Sequence, residues 1–486
     1  MSANDATRSR LAGEIAVKLC DSEPERVPIG RSADAVSQSI SHTKEASAPK
    51  LLAYVAPATG IWFFYIPMWS VLPGIYAKYF GLSLSSLGAV VLVIRLFDGV
   101  MDTATGFISD WHHARGGSRR SWVVAGSIGT VLACTQLFMP SKGVTWEYYL
   151  IWSVCFFAAF TVAEIPHVTW GNELSRDYDM RARIFGARSI ATRIAIIIFY
   201  ALPLLPIYST TEYTPQILRD AVGVGAILVL CGLSASCFAS RGLTESAARR
   251  NGDWRALVRS VILNKPLLVY LSAFTALGMA SGIWFGLIYF YLDGYLHHGA
   301  QISSMFLLGY ALGAISTPLW LVLIRKTSKV VAWALSIALF MVQLAGMWFV
   351  RPDQLGLVFG LVAIANLYFA GSDIAAVAIL GDIIDYGRLR FGSNRGATYC
   401  ALNVLLFKVG LGIGGGAALA MVGAFGYDAS AHMQRPEAMF ALRATLAVLP
   451  TILAAIGMVL VLFTPLNRRR HHIIKRRLES MARAFT

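Results

Sequence analysis

Charge is scarce in this sequence. Only 14 % of its 486 residues are Asp, Glu, Lys or Arg, against about 25 % in soluble domains. That shortage excludes a soluble surface over most of the chain. Cysteine is sparse as well: Cys20, Cys134, Cys155, Cys231, Cys237 and Cys400 include no C-x-x-C pair. A disulfide scaffold or a cysteine metal site is therefore not expected, and these residues read as small apolar fillers. The first 50 residues lack a hydrophobic h-region, so no cleaved leader is expected. Ten-residue segments of strict polar–apolar alternation are missing, which argues against a membrane barrel. No nucleophile–base set, metal-ligand cluster or cofactor motif stands out, so we expect neither an enzyme nor a bound cofactor.

What the chain has is apolar length. Hydrophobic residues make up 56 % of it and mean hydropathy is +0.59. Twelve stretches are long enough to cross a ~30 Å hydrocarbon core as helices. They fall at 51–79, 84–108, 121–140, 147–171, 184–207, 220–240, 266–292, 302–324, 330–350, 355–384, 396–424 and 438–465. The fold class expected is an all-α membrane protein with twelve transmembrane helices.

The net charge of +15 is distributed in a way that speaks for a membrane and against nucleic acid. The tails and even-numbered loops carry 33 of the 42 Lys and Arg residues, the opposite loops carry five, and four lie within spans. Such asymmetry puts both termini in the cytoplasm of a multi-pass protein of the cytoplasmic membrane. Segment 1–50 reads as a disordered cytoplasmic tail. Segment 466–486, with NRRRHHIIKRR, reads as a basic anchor on an anionic leaflet. The basic loop 241–265 divides the spans into halves 51–240 and 266–465, and its ALVRSVIL stretch has the pattern of a surface helix. Six plus six spans is the plan of a major-facilitator fold, with a solute site between the halves. A weak echo fits this: Glu164–Ile165 and Asp373–Ile374 occupy corresponding spans, each with a further acid nine residues on, Glu173 and Asp382. The G-x-G-x-x-G pattern at 410–415 lies within a span, so it reads as close helix packing and not as a nucleotide loop.

The residues that call for explanation are the charges inside spans, each costing ~2.5–3.5 kcal/mol at a helix centre on insertion scales. In RLFDGVMD, Arg95, Asp98 and Asp102 are spaced to share one helix face. Two carboxylates one turn apart repel unless a cation or proton lies between them. Oxygen ligands suit a hard cation, so Asp98 and Asp102 form a candidate Na⁺ or H⁺ site, with Arg95 neutralising the empty site. The plainer alternative is an ion-pair staple between Arg95 and Asp98. Lys408 is a remote partner for the acids, or else snorkels to an interface. Glu164, beside Pro166 and His167, is either a solute contact or the partner of Arg193. Asp373 reads in the same way, while His167 reads as a packing histidine. Trp62 and its aromatic neighbours either line a cavity or pack helices. Asp110, Arg181, Asp382, Asp385 and Arg395 sit at cytoplasmic span ends and are candidates for an inner gate, against ordinary surface pairing.

RLFDGVMDTATG, AEIPHVTWGNELSRDYDMRARIFGARS, GDIIDYG and LLFKVGLG, in this order, resemble the glycoside–pentoside–hexuronide cation symporter family across all twelve spans. The resemblance implies cation binding by Asp98 and Asp102, an influence of Lys408 on that site, and sugar binding by Glu164. It also implies cytoplasmic closure by Asp382, Asp385 and Arg181. Three departures accompany it, the first being that the span-4 acid is Glu164 where the resemblance would put an aspartate. Where the resemblance would put a sugar-binding aspartate in span 1, this chain has TGIWFF; Val404 stands where a hydroxyl residue is expected one turn before Lys408. The function expected is cation-coupled symport of a sugar, glycoside, pentoside or uronide by a monomer in the bilayer. Alternatives are a lysolipid or amphiphile transporter of the same fold and a non-transporting membrane sensor.

Overall fold

A computed structural model describes residues 48–464, apart from 142, 176, 239–253, 393–394 and 432, together with 473, 474, 476, 477 and 480. The N-terminal tail expected over 1–47 lies outside the described residues. Residues 48–50 already belong to the first helix.

Among the described residues, twelve helices are long and apolar enough to cross a membrane. We label them α1 Ala48–Tyr65, α2 Leu84–Ala114, α3 Arg119–Phe138, α4 Trp146–Glu173, α5 Tyr178–Ala201 and α6 Pro215–Ser236. The remaining six are α7 Lys265–Phe290, α8 Ile302–Lys326, α9 Lys329–Phe349, α10 Leu355–Phe391, α11 Gly396–Ala424 and α12 Pro436–Leu462. Side chains cap the free N–H groups at many of their starts. Ser83, Thr145, Asp177, Thr214, Asn264 and Ser328 each accept from the backbone two or three residues into the helix. Gly392, at φ 66°, closes α10 in the left-handed conformation that favours glycine.

Several boundaries differ from the hydropathy reading. The first span is broken: after Tyr65 come short helices Pro67–Ser70 and Leu72–Phe80, each with proline in its first turn. Proline lacks the N–H that a continuous helix needs, so the run of helical hydrogen bonds is interrupted at these points. Helix α2 extends to Ala114 and α10 to Phe391, carrying Asp110 and then Asp382 and Asp385 on helical turns. Helix α7 ends in a π-helical turn, Tyr291–Tyr295, that holds Asp293. The expected surface helix is present over Trp254–Ile262. It packs on the start of α11, where Tyr399 Oη donates to the Ser260 carbonyl at 3.2 Å, and it leaves Val258 and Ile262 exposed.

Within the first six spans α1 packs on α5 and α6, and α4 packs on α2 and α3; within the last six α7 packs on α11 and α12, and α10 packs on α8 and α9. Two long contacts join the sets: α2 with α11, and α5 with α8. The glycines of α11 permit both of that helix's contacts. A Cβ at Gly414 would stand 2.1 Å from the Met279 carbonyl of α7; one at Gly416 would stand 2.7 Å from the Gly88 carbonyl of α2. The mid-span glycine pattern is therefore a two-sided packing seam.

Candidate cation and solute site

Helix periodicity places Arg95, Asp98 and Asp102 on the α2 face that meets α4 and α11. Asp98 is 1 % exposed. Lys408 of α11 brings its Nζ to 2.8 Å from Asp98 Oδ2 and 2.6 Å from Asp102 Oδ2. Thr161 of α4 completes the cluster, its hydroxyl 3.3 Å from Asp98 Oδ1 and 3.2 Å from Asp102 Oδ1. Arg95 stacks on Trp69, 3.3 Å from its ring centroid, and its Nη1 lies 3.6 Å from Asp98 Oδ2. Two cations thus balance two carboxylates. Lys408 sits between the acids and does not snorkel away, and its bridge joins the first six spans to the last six.

Glu164 of α4 pairs with Arg188 of α5 and accepts from Trp62 Nε1 at 3.2 Å. Arg188 therefore takes the place that the sequence reading considered for Arg193. Arg193 lies half-buried further along α5. His167 is fully buried, with its Nε2 donating to the Tyr54 carbonyl at 2.8 Å and its Nδ1 3.4 Å from Arg188 Nε. That leaves the Nδ1 lone pair to accept from the guanidinium, the pattern of a neutral packing histidine.

A cavity of about 300 Å³ opens beside the ion cluster, lined by Trp62, Tyr65, Trp69, Arg95, Phe285 and Asp373 among others. Trp62 and Asp373 face the same space from α1 and α10. Glu164 stands behind Trp62 and is reached through its indole N–H.

The gate candidates are spread along the end that bears the basic loops. Asp110 pairs with Arg119 at 2.7 Å, and Arg119 also meets Glu173 at 3.0 Å, all within the first six spans. Asp382 pairs with Lys329 at 2.6 Å, within the last six. Arg181 donates to the Ser175 carbonyl at 2.7 Å and Arg395 to that of Ala256. Asp385 lies half-buried on α10 one turn beyond Asp382. At the opposite end an ionic bridge joins the two sets. Lys78 reaches Glu212, in the α5–α6 connection, at 2.5 Å and Asp293, in the α7 π-turn, at 2.9 Å. Sequence reading passed over this cluster because its three members lie in loops and helix ends, where single charges are common. It also passed over Thr161 and Arg188: a hydroxyl in an apolar span gives no charge signal, and Arg188 lies near the start of its span, close to a basic loop.

Residues 52–468 match the MFS/sugar transport protein family. The chain belongs to that family. Its relatives include the uncharacterised symporter sll1374 of Synechocystis, 23 % identical over 82 % of this chain and 91 % of the relative. The putative glycoside/cation symporter YagG of Escherichia coli is 22 % identical over 83 % of this chain and 88 % of its own. The glucuronide carrier protein homolog of the same organism is 22 % identical, over 81 % and 87 %. Among solved structures, the inward-facing bacterial homolog of the lysosomal transporter Spinster superposes with a TM-score of 0.65 at 14 % identity, covering 87 % of this chain and 96 % of that one. The nucleoside transporter NupG gives 0.62 at 13 % identity, covering 86 % and 100 %. The MFS fold is common to these, and the chain is a membrane transporter and not an enzyme.

Proposed function

We propose that this MFS member is a cation-coupled symporter of the cytoplasmic membrane, with both termini inside, and that its solute is a glycoside, pentoside or uronide. The observation that carries the reading is the Lys408 ammonium held between Asp98 and Asp102 across the two halves of the chain. A Na⁺ ion or proton entering from the membrane exterior would neutralise the carboxylates. Charge balance then favours release of Lys408, because the cluster already holds Arg95 as a second cation. Release removes a bridge between α2 and α11, so ion binding biases how the halves sit. The ion is thereby linked to access at the solute cavity. Glu164, Asp373, Trp62 and Arg193 are the proposed solute-side residues. Asp110, Arg181, Asp382, Asp385 and Arg395 are proposed to re-pair when the cytoplasmic side closes. The relatives described as a glycoside/cation symporter and a glucuronide carrier homolog support the solute class. The cavity is at the small end of the ~300–1,000 Å³ range for ligand pockets, which favours a single ring over a lysolipid tail.

A thermal-shift screen of the purified protein in detergent tests the class. Glycosides, uronides and lysolipids are compared with and without Na⁺, since a ligand of the folded state raises the melting temperature. Stabilisation by one glycoside or uronide class that grows with Na⁺ is expected. Stabilisation by lysolipids alone, indifferent to Na⁺, would overturn the reading.

A further inference from the structure

Arg95 is 4 % exposed, yet its Nε and Nη1 have no hydrogen-bond partner among the described residues. Its contact with Asp98, at 3.6 Å, is beyond hydrogen-bond reach. Trp69, on which it stacks, has the same deficit at Nε1. Buried donors are almost always satisfied, so two adjacent residues with open N–H groups call for an acceptor. Both residues line the 300 Å³ cavity, and Asp373 supplies an acceptor to the same space. Tyr65 and Phe285 add aromatic surface. Such a lining suits a ring with oxygen acceptors on one edge, hydroxyl donors on another and an apolar face.

We infer that Arg95 and Trp69 are solute-binding residues, donating to ring oxygens of a single hydroxylated ring whose hydroxyls meet Asp373. This rests on the glycoside reading above and deepens it. The span-1 acid that the resemblance would supply is absent; Trp62 stands in TGIWFF, and the cavity's carboxylate comes instead from α10. Arg95 also faces Asp98, so one side chain touches the solute cavity and the ion cluster.

The test uses full-length protein in detergent and p-nitrophenyl β-D-glucoside, β-D-xyloside and β-D-glucuronide as probes, with affinity read by tryptophan quenching or calorimetry. Arg95→Lys keeps a positive charge opposite Asp98 but loses the planar guanidinium and Nε. Its affinity for the probe that wild type binds is expected to fall at least tenfold. Trp69→Phe, which keeps a ring and loses only the N–H, is expected to lose at least threefold. Ring-deoxy analogues of that probe provide a readout that a structural role would not move. One deoxy position should weaken binding to wild type and leave binding to Arg95→Lys unchanged. Wild-type affinity in Arg95→Lys and Trp69→Phe would overturn this inference and leave the glycoside reading standing. Wild type that binds none of the three probes would overturn both.

Discussion

The seam between α2 and α11 sets up a sharp test of how the two halves move. A Cβ at Gly416 would lie 2.7 Å from the Gly88 carbonyl oxygen and 3.1 Å from Leu92 Cβ. The nearer obstacle is backbone, which cannot rotate aside, so Gly416→Ala must push α2 and α11 apart. Overpacking of this kind costs about 1–3 kcal/mol. If these helices separate in the alternate state, the wedge is relieved there, and the equilibrium shifts by about 5- to 150-fold. Ser303, fully buried at the start of α8, is a suitable reporter. In a background without other cysteines, Ser303→Cys is labelled with an impermeant maleimide from the side opposite the basic loops. The labelling rate should rise within that range when Gly416→Ala is added. Gly414→Ala is the control: its Cβ would strike the Met279 carbonyl of α7, 2.1 Å away. Helices α7 and α11 belong to the same half, so it should lower the melting temperature without raising labelling. Equal labelling with and without Gly416→Ala, in protein that still melts cooperatively, would refute a moving α2–α11 seam.

Three further outcomes are expected. Thr161→Val removes a hydroxyl that donates to both acids; hydrogen bonds to charged groups contribute about 1.5–3 kcal/mol and hold the carboxylates ionised, so proton affinity should rise roughly 10- to 100-fold, whereas Na⁺ affinity should fall by a similar factor where the hydroxyl oxygen serves as a ligand, both read by ion-dependent thermal shift. Glu164→Gln leaves Arg188 without its carboxylate in a mostly buried setting and should destabilise by about 3–5 kcal/mol in denaturant titration, whereas adding Arg188→Gln should recover most of the loss. Lys78→Met breaks the bridge to Asp293; because the pair is partly exposed, at about 0–1 kcal/mol, labelling of Ser303→Cys should rise only up to about fivefold, and Asp293→Asn should add little on top.

Much of this architecture was legible in the sequence, because bilayer thickness turns hydropathy directly into helices. All twelve spans are present, and the mid-span glycines pack helices as their small size suggested. The spacing of Arg95, Asp98 and Asp102 fixed their common face, and the scarcity of intramembrane cations pointed to Lys408 as the remote partner. What could not be read was partner choice between spans of similar depth: Glu164 meets Arg188 and not Arg193, because the facing register of α4 and α5 is set by packing. Hydroxyl groups gave no signal either, so Thr161 emerges only in the fold; the aromatic neighbours of Trp62 were cavity candidates from the start, but the open N–H of Trp69 depends on how the helices pack. The break of the first span was marked by Pro67 and Pro73, which a hydropathy window averages away. Lys78, Glu212 and Asp293 converge only through tertiary structure.

The central claim is that an ion at Asp98 and Asp102 drives solute uphill. The most direct measurement is accumulation of p-nitrophenyl glycosides and glucuronides in proteoliposomes under an imposed inward Na⁺ or H⁺ gradient, for wild type and Asp102→Asn. We expect wild type to concentrate one probe above its external level and to lose that accumulation when the gradient is collapsed. Asp102→Asn should equilibrate the probe without concentrating it. Uphill accumulation by Asp102→Asn equal to that of wild type, or wild-type uptake that never exceeds equilibrium under either gradient, would contradict the account.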